Sequence, residues 1–164
     1  MKRVLSTLCL TVALSASILS GAAFAASEAQ VTQVSERFGF DKEYLFHVDS
    51  MIVELRKMGA FSGRENKDTE KLRLRLTRDR MAAKQDEVLG GARKMMAENM
   101  SDADLKHLLD NFGSDGRIED AKASETANMV VRVYRDAIFN AIIASAVPVQ
   151  EEADRMKAAG EVVQ

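Results

Sequence analysis

An all-α fold, about four amphipathic helices in an irregular bundle, is predicted from three features of this chain. Proline occurs once in 164 residues, at Pro148. Alanine, methionine, lysine, arginine and glutamate, all good helix formers, are common between short glycine clusters. Apolar residues recur at spacings of three and four over most of the length, the period of a helix with one buried face. With no Trp and only two Tyr, the core must come mainly from Leu, Ile, Val, Met and Ala.

The first 25 residues form a segment of another kind. Lys2 and Arg3 precede an apolar run from Val4 to Leu19, and Gly21-Ala22-Ala23-Phe24-Ala25 follows, with the small residues Ala23 and Ala25 placed for a signal peptidase. This pattern predicts a signal peptide over 1–25, cleaved before Ala26. The run is too short for a membrane anchor, and Cys9 lies inside it rather than at the cleavage point. The expected compartment is the periplasm, which has no ATP, no reduced nicotinamide and no reducing thiol pool. A mature chain of about 139 residues matches one domain. The expected division is a signal peptide (1–25), a helical domain (26–148) and a charged C-terminal tail (149–164).

Loss of Lys2 and Arg3 moves the formal net charge from −2 to about −4. Cys9 is the only cysteine, so the mature chain can have no disulfide, thiolate nucleophile or cysteine-held metal.

The elements follow in order. From Ser27 to Arg37 runs a short polar lead with Val31, Val34 and Phe38 at helical spacing, and Phe38-Gly39-Phe40 breaks it. Asp41 has the chemistry of an N-cap, a carboxylate able to accept an N–H of the first turn. The helix it opens carries Leu45, Val48, Ile52 and Leu55 on one stripe, flanked by Tyr44, Met51 and Met58. Gly59 suits the left-handed position that closes a helix, and Ala60-Phe61-Ser62-Gly63 continues as a loop.

A second helix is expected from near Asp68 to beyond Val88. Leu72-Arg73-Leu74-Arg75-Leu76 alternates like a strand, but no second alternating run could pair with it, and Leu74, Met81, Val88 and Met95 continue seven apart. Gly90-Gly91 predicts a kink or break, because each glycine costs about 1 kcal/mol against alanine inside a helix. Ala92 to Glu98 resumes the helix. Ser101-Asp102-Ala103-Asp104 then has the form of a capping box with Asp in place of Glu. It opens a short helix through Leu105, Leu108, Leu109 and Phe112 to Gly113, with a turn at Gly116.

Arg117 to Val147 is the longest apolar stretch and predicts the most buried helix, ended by Pro148. Arg132, Arg135, Asp136 and Asn140 inside it exclude a transmembrane span. The segment beyond Pro148 is expected to be a frayed, charged tail.

A loop, a methionine cluster and two histidines are the candidates for chemistry. Asn111 to Lys122 imitates a calcium loop, with Gly116 at the sixth position and Ile118 at the eighth. Its ligands fail, because Gly113 stands third and Lys122 stands where a bidentate Glu belongs. Met95, Met96 and Met100 are soft thioethers, but on a helix they point different ways and read as core filler. His47 and His107 have no second metal ligand at helical spacing beyond nearby acids such as Asp104 and Asp110. There is no Gly-x-Ser-x-Gly, no His-Glu-x-x-His and no phosphate-binding glycine loop. No enzyme activity, metal or cofactor is expected.

Charge is distributed unevenly. Arg64 to Lys84 is rich in Lys and Arg, whereas Glu98 to Glu125 is mostly acidic. Arg73, Arg75, Arg78 and Arg80 form the candidate partner face, able to meet an acidic envelope protein or an anionic envelope surface, unless they pair with the acidic segment. Nucleic acid is not an expected partner, because the chain leaves the cytoplasm and lacks interleaved aromatic residues.

One segment carries a resemblance. Met100-Ser101-Asp102-Ala103-Asp104-Leu105, then Leu108, Phe112, Ser114 and Gly116-Arg117-Ile118, resembles the bacterial envelope family called domain of unknown function 2059. That family combines an aromatic-Ser/Thr-x-x-Glu-Leu helix with a Ser-Pro-x-Gly turn into a long helix. Here Asp104 stands for the Glu, Met100 for the leading aromatic and Asp115 for the Pro, and the turn is one residue shorter. The resemblance covers about twenty residues and implies a secreted all-helical fold, and it implies nothing about an activity.

The functional expectation is a non-enzymatic periplasmic helical protein that binds another envelope component. The alternative is a periplasmic chaperone or stress-protective protein holding unfolded clients on a surface around Met81, Met95, Met96 and Met100.

Overall fold

The computed structural model describes residues 25–59 and 67–160. The expected signal peptide up to Phe24 and the expected Ala60–Gly63 loop lie outside the described residues. Among the described residues there are six helices and no named strand: α1 (Glu28–Phe38), α2 (Phe40–Lys57), α3 (Lys67–Ala83), α4 (Gln85–Asn99), α5 (Asp102–Asp110) and α6 (Ala121–Ala158). The all-α class is as expected. The count exceeds four because the polar lead is itself a helix and the second expected helix is two.

Ser27 caps α1 by accepting the N–H of Gln30. Gly39 alone separates α1 from α2, with a left-handed φ of 69° that lets the chain turn without a loop. Asp41 is therefore not the cap of α2 but a residue of its first turn. Its carboxylate accepts from Arg93 Nη2 at 2.8 Å instead. At the far end Gly59 is left-handed, with φ 84°, as its sequence position predicts.

The break expected at Gly90-Gly91 falls at Lys84, and α4 runs through both glycines. Lys84 has φ −103° and ψ 10°, and its N–H bonds to the carbonyls of both Arg80 and Met81. Gln85 Nε2 then donates to the Asp41 carbonyl at 2.9 Å. The buried residues Met81 on one side, and Leu89, Ala92 and Met96 on the other, hold the two helices against the core. Their burial outweighs the entropy of two glycines. A Cβ at Gly90 or Gly91 would meet nothing within 4 Å. Replacing each by Ala should thus stabilise the protein by about 0.5–1 kcal/mol. The check is a higher urea midpoint with an unchanged slope.

Half of the expected capping box of α5 forms, because the Asp104 carboxylate meets the Ser101 hydroxyl rather than its backbone N–H. Ser101 Oγ accepts the Asp104 N–H at 3.1 Å and donates to Asp104 Oδ2 at 2.6 Å. The helix ends at Asp110, before the expected Gly113, and a tight reversal follows. Gly113 N–H donates to the Arg117 carbonyl at 2.9 Å, and Phe112 bridges to Ile118. A Cβ on Gly113 would lie 2.8 Å from Asp115 Oδ1 and 3.1 Å from the Arg117 oxygen, so a larger residue would require both to shift.

Asp120 opens α6 by accepting the Ala123 N–H at 2.7 Å. The helix begins at Ala121 rather than Arg117 and continues through Pro148 to Ala158. Pro148 removes one helix hydrogen bond, that to the carbonyl of Ala144. Ala144 is exposed, so water can satisfy that oxygen. Val149 and Ala153, both buried, keep the chain docked beyond it. The segment expected to fray is thus helical through Ala158.

α6 packs against α2, α3, α4 and α5. Two tyrosines are fully buried, and each finds a partner. Tyr44 donates its hydroxyl to the Met81 carbonyl at 3.1 Å, and burial, with the Glu87 charge, pushes its pKa up to about 12. Tyr134 stacks on Phe40 with ring centroids 3.7 Å apart and donates to Ser35 Oγ at 2.9 Å.

Candidate functional site

α2 contacts both α3 and α6, and ion pairs mark both boundaries. Toward α3, Asp49 pairs with Arg78 at 2.9 Å and Arg56 with Glu70 at 2.6 Å. Toward α6, Glu54 pairs with Arg135 at 3.1 Å. Between the two rows stand Phe46 and Val53, 68% and 50% exposed. They are seven residues apart, so they share a face two turns long. The two apolar side chains are thus flanked on both sides by charged pairs.

Beside the ridge a recess of about 170 Å³ opens between α2 and α6, lined by His47, Ser50, Met51, Val131 and Ile138, with Phe40 and Tyr134 at its inner wall. Small-molecule sites usually run to about 300–1,000 Å³. This recess suits an inserted side chain better than a cofactor.

The four arginines of the candidate partner face take different positions. Arg75 is exposed, and Arg78 is exposed and paired with Asp49. Arg73 is half-buried beside Leu55, Thr77, Ile142 and Val149. Arg80 is also half-buried, with a buried Nε that has no hydrogen-bond partner. The structure thus brings Arg75 and Arg78 to the outside of α3, while Arg73 and Arg80 lie partly covered. The acids opposite Arg78 and Arg135 are on α2.

The acidic segment makes pairs of its own. Lys122 meets Asp104 at 2.8 Å, Lys106 meets Asp110 at 2.6 Å, and His107 Nε2 lies 2.7 Å from Asp120 Oδ1. The Ala123 N–H, then His107, hold the Asp120 carboxyl below the usual carboxylate range. Lys122, then Ser101, do the same for Asp104. A carboxyl with a lowered pKa in the folded state contributes stability above its unfolded pKa and loses it as pH falls through the folded value. Wild type should therefore lose melting temperature below about pH 5, and Asp104→Ala or Asp120→Ala should flatten that acid limb. Scanning calorimetry from neutral to acid pH checks this.

The remaining candidates take part in packing and local ion pairs. Met81, Met96 and Met100 are buried and Met95 is half-buried, so three of the four methionines expected to hold clients lie in the core. Lys122, at the twelfth position of the calcium-like loop, is engaged with Asp104, and Asp115 Oδ1 accepts the Arg117 N–H at 3.1 Å. His47 lies 3.9 Å from Glu43. Among the described residues no group of three or more His, Cys, Asp or Glu converges as a metal site. None of the described helices is long and apolar enough to cross a membrane.

Phe46 and Val53 were not singled out from the sequence. Their signal was there: both are apolar and fall off the Val48–Ile52–Leu55 stripe, on the side of the helix that charged residues otherwise occupy.

No family model, curated protein or solved structure matches this chain.

Proposed function

We propose that this is an exported, non-enzymatic helical protein that binds another component of the cell envelope, and that the ridge of α2 is its contact surface. The observation that carries this reading is the exposure of Phe46 and Val53 inside a rim of ion pairs. Burying two such side chains against a partner would contribute a few kcal/mol. The rim arginines Arg56, Arg78 and Arg135 are each matched by an acid, which favours a protein partner of mixed charge over a uniformly anionic surface. Arg75 is an exposed basic residue on the neighbouring helix α3. Export rests on the leader, with its basic start and small-residue end.

A photo-crosslinking residue at position 46 should capture one envelope protein in living cells, and Val53→Asp should abolish the capture while the circular dichroism spectrum stays helical. Arg75→Gln with Arg78→Gln should lower it only a few-fold, since exposed pairs contribute about 0–1 kcal/mol. Capture no stronger than from position 98, on a polar surface, would overturn this reading. Capture of many unrelated proteins would favour the client-holding alternative.

A further inference from the structure

α6 has a second apolar face, made of residues that take no part in the α2 ridge. Phe139, Ile143 and Val147 follow one another at four-residue steps and are 37%, 49% and 67% exposed. Ala144 and Ala146, also exposed, sit beside Ile143 and are small enough for another backbone to approach. We propose that this face pairs with the same face of a second copy, the two α6 helices lying antiparallel about a two-fold axis at Ile143.

The order of side chains along the helix selects this occupant. In an antiparallel pair centred on Ile143, Phe139 faces Val147 of the second copy. Three residues further out, Asp136 faces Gln150, and at the ends Arg132 faces Asp154. Every such contact occurs twice by symmetry. Arg132 is exposed and makes no ion pair among the described residues. Asp154 accepts from Gln150 Nε2 at 3.0 and 3.1 Å and has room for a further donor. A parallel pair would instead set Arg132 against Arg132 and Asp154 against Asp154, and like charges disfavour that register. From Arg132 to Asp154 the seam measures about 33 Å, apolar at its centre and oppositely charged at its ends. Its chemistry is complementary to itself, so a copy of the chain fits it without any foreign sequence.

The test uses the purified protein beginning at Ala26, which has no cysteine of its own, so that any introduced cysteine is unique. Sedimentation equilibrium should show a dimer for the parent protein. Ile143→Glu places two carboxylates on the axis and should weaken dimerisation by at least about tenfold. Arg132→Asp should also weaken it, and adding Asp154→Arg should restore it. Under oxidation Ile143→Cys should cross-link in high yield, whereas Phe139→Cys alone should not, because the two copies of position 139 are about 12 Å apart along the seam. A monomer at high concentration overturns the proposal and leaves the face to a foreign partner. A dimer indifferent to Ile143→Glu overturns it in favour of another interface, and efficient cross-linking through Phe139→Cys overturns the antiparallel register. Photo-capture at position 46 reads a different surface, so either reading can fail alone.

Discussion

A chain processed to begin at Ala26 will unfold about 3–6 °C above the same chain with that amino group acetylated. The Ala26 nitrogen donates to two carbonyls, Ala97 and Met100, each at 3.0 Å. Both belong to the C-terminal end of α4, where the helix dipole is negative and carbonyls lack helical partners. The next N–H, of Ser27, donates to Asp102 Oδ1 at 2.7 Å, in the first turn of α5. In an unprocessed chain the Ala26 nitrogen is an amide with one hydrogen for two acceptors. Cleavage between Ala25 and Ala26 would make it an ammonium, with three hydrogens and a positive charge beside a helix C-terminus and a carboxylate.

Charge at that position is worth about 0.3–1 kcal/mol on an exposed helix and up to about 2 kcal/mol when partly buried. Acetylation removes the charge and two of the three hydrogens while leaving the chain otherwise unchanged. The pair is compared by scanning calorimetry at neutral pH. Terminal sequencing that finds another first residue would refute the cleavage site. Equal melting of the two forms, with Ala26 confirmed as first residue, would refute the cap alone.

What the sequence made legible was local in origin. Gly59, Ser101 and the Val48–Ile52–Leu55 stripe are decided by a few neighbours: a left-handed φ, a hydroxyl near a free N–H, and one turn of spacing. The misplaced boundaries were set by distant residues. Gly90-Gly91 carries a real local cost, but Leu89, Ala92 and Met96 bury against other helices and hold the backbone helical across it. Pro148 has the same history, because Val149 and Ala153 find a core surface that no window around Pro148 contains. The arginine face needed knowledge of which side of α3 points inward. Buried Thr69, Leu72, Thr77 and Met81 define that side, and Arg73 and Arg80 lie close to it, whereas Arg75 and Arg78 do not. Phe46, Val53 and Ile143 show the converse. Apolar character suggested burial, and only the packing of neighbouring helices shows that nothing in the described chain covers them.

Tyr134→Ala should cost about 3–5 kcal/mol, a large share of the roughly 5–15 kcal/mol by which such domains are stable. The residue is 1% exposed and lies about a third of the way along α6. Its ring stacks on Phe40 at an interplanar angle of 11°, tying the start of α2 to the central helix. Its hydroxyl donates to Ser35, itself fully buried on α1, and Ser35 Oγ lies 3.5 Å from Asp41 Oδ2. Arg93 on α4 closes the chain on Asp41 at 2.8 Å, so four helices meet in one polar thread that runs from the core to the half-exposed Asp41 and Arg93. Burial holds the Tyr134 hydroxyl above its ordinary pKa, and it acts as a neutral donor.

Tyr134→Phe separates the ring from the thread. It keeps the stacking surface but takes the donor from a buried serine, and should cost about 1–2 kcal/mol. Tyr44→Phe is the control, because the Met81 carbonyl it abandons still accepts the Lys84 N–H at 3.1 Å. That variant should cost less, about 0.5–1 kcal/mol. Urea unfolding of the three variants orders them Tyr134→Ala, Tyr134→Phe, Tyr44→Phe. If Tyr134→Phe proves no worse than Tyr44→Phe, the hydrogen bond to Ser35 contributes nothing, and Tyr134 stabilises the bundle only as an aromatic surface for Phe40.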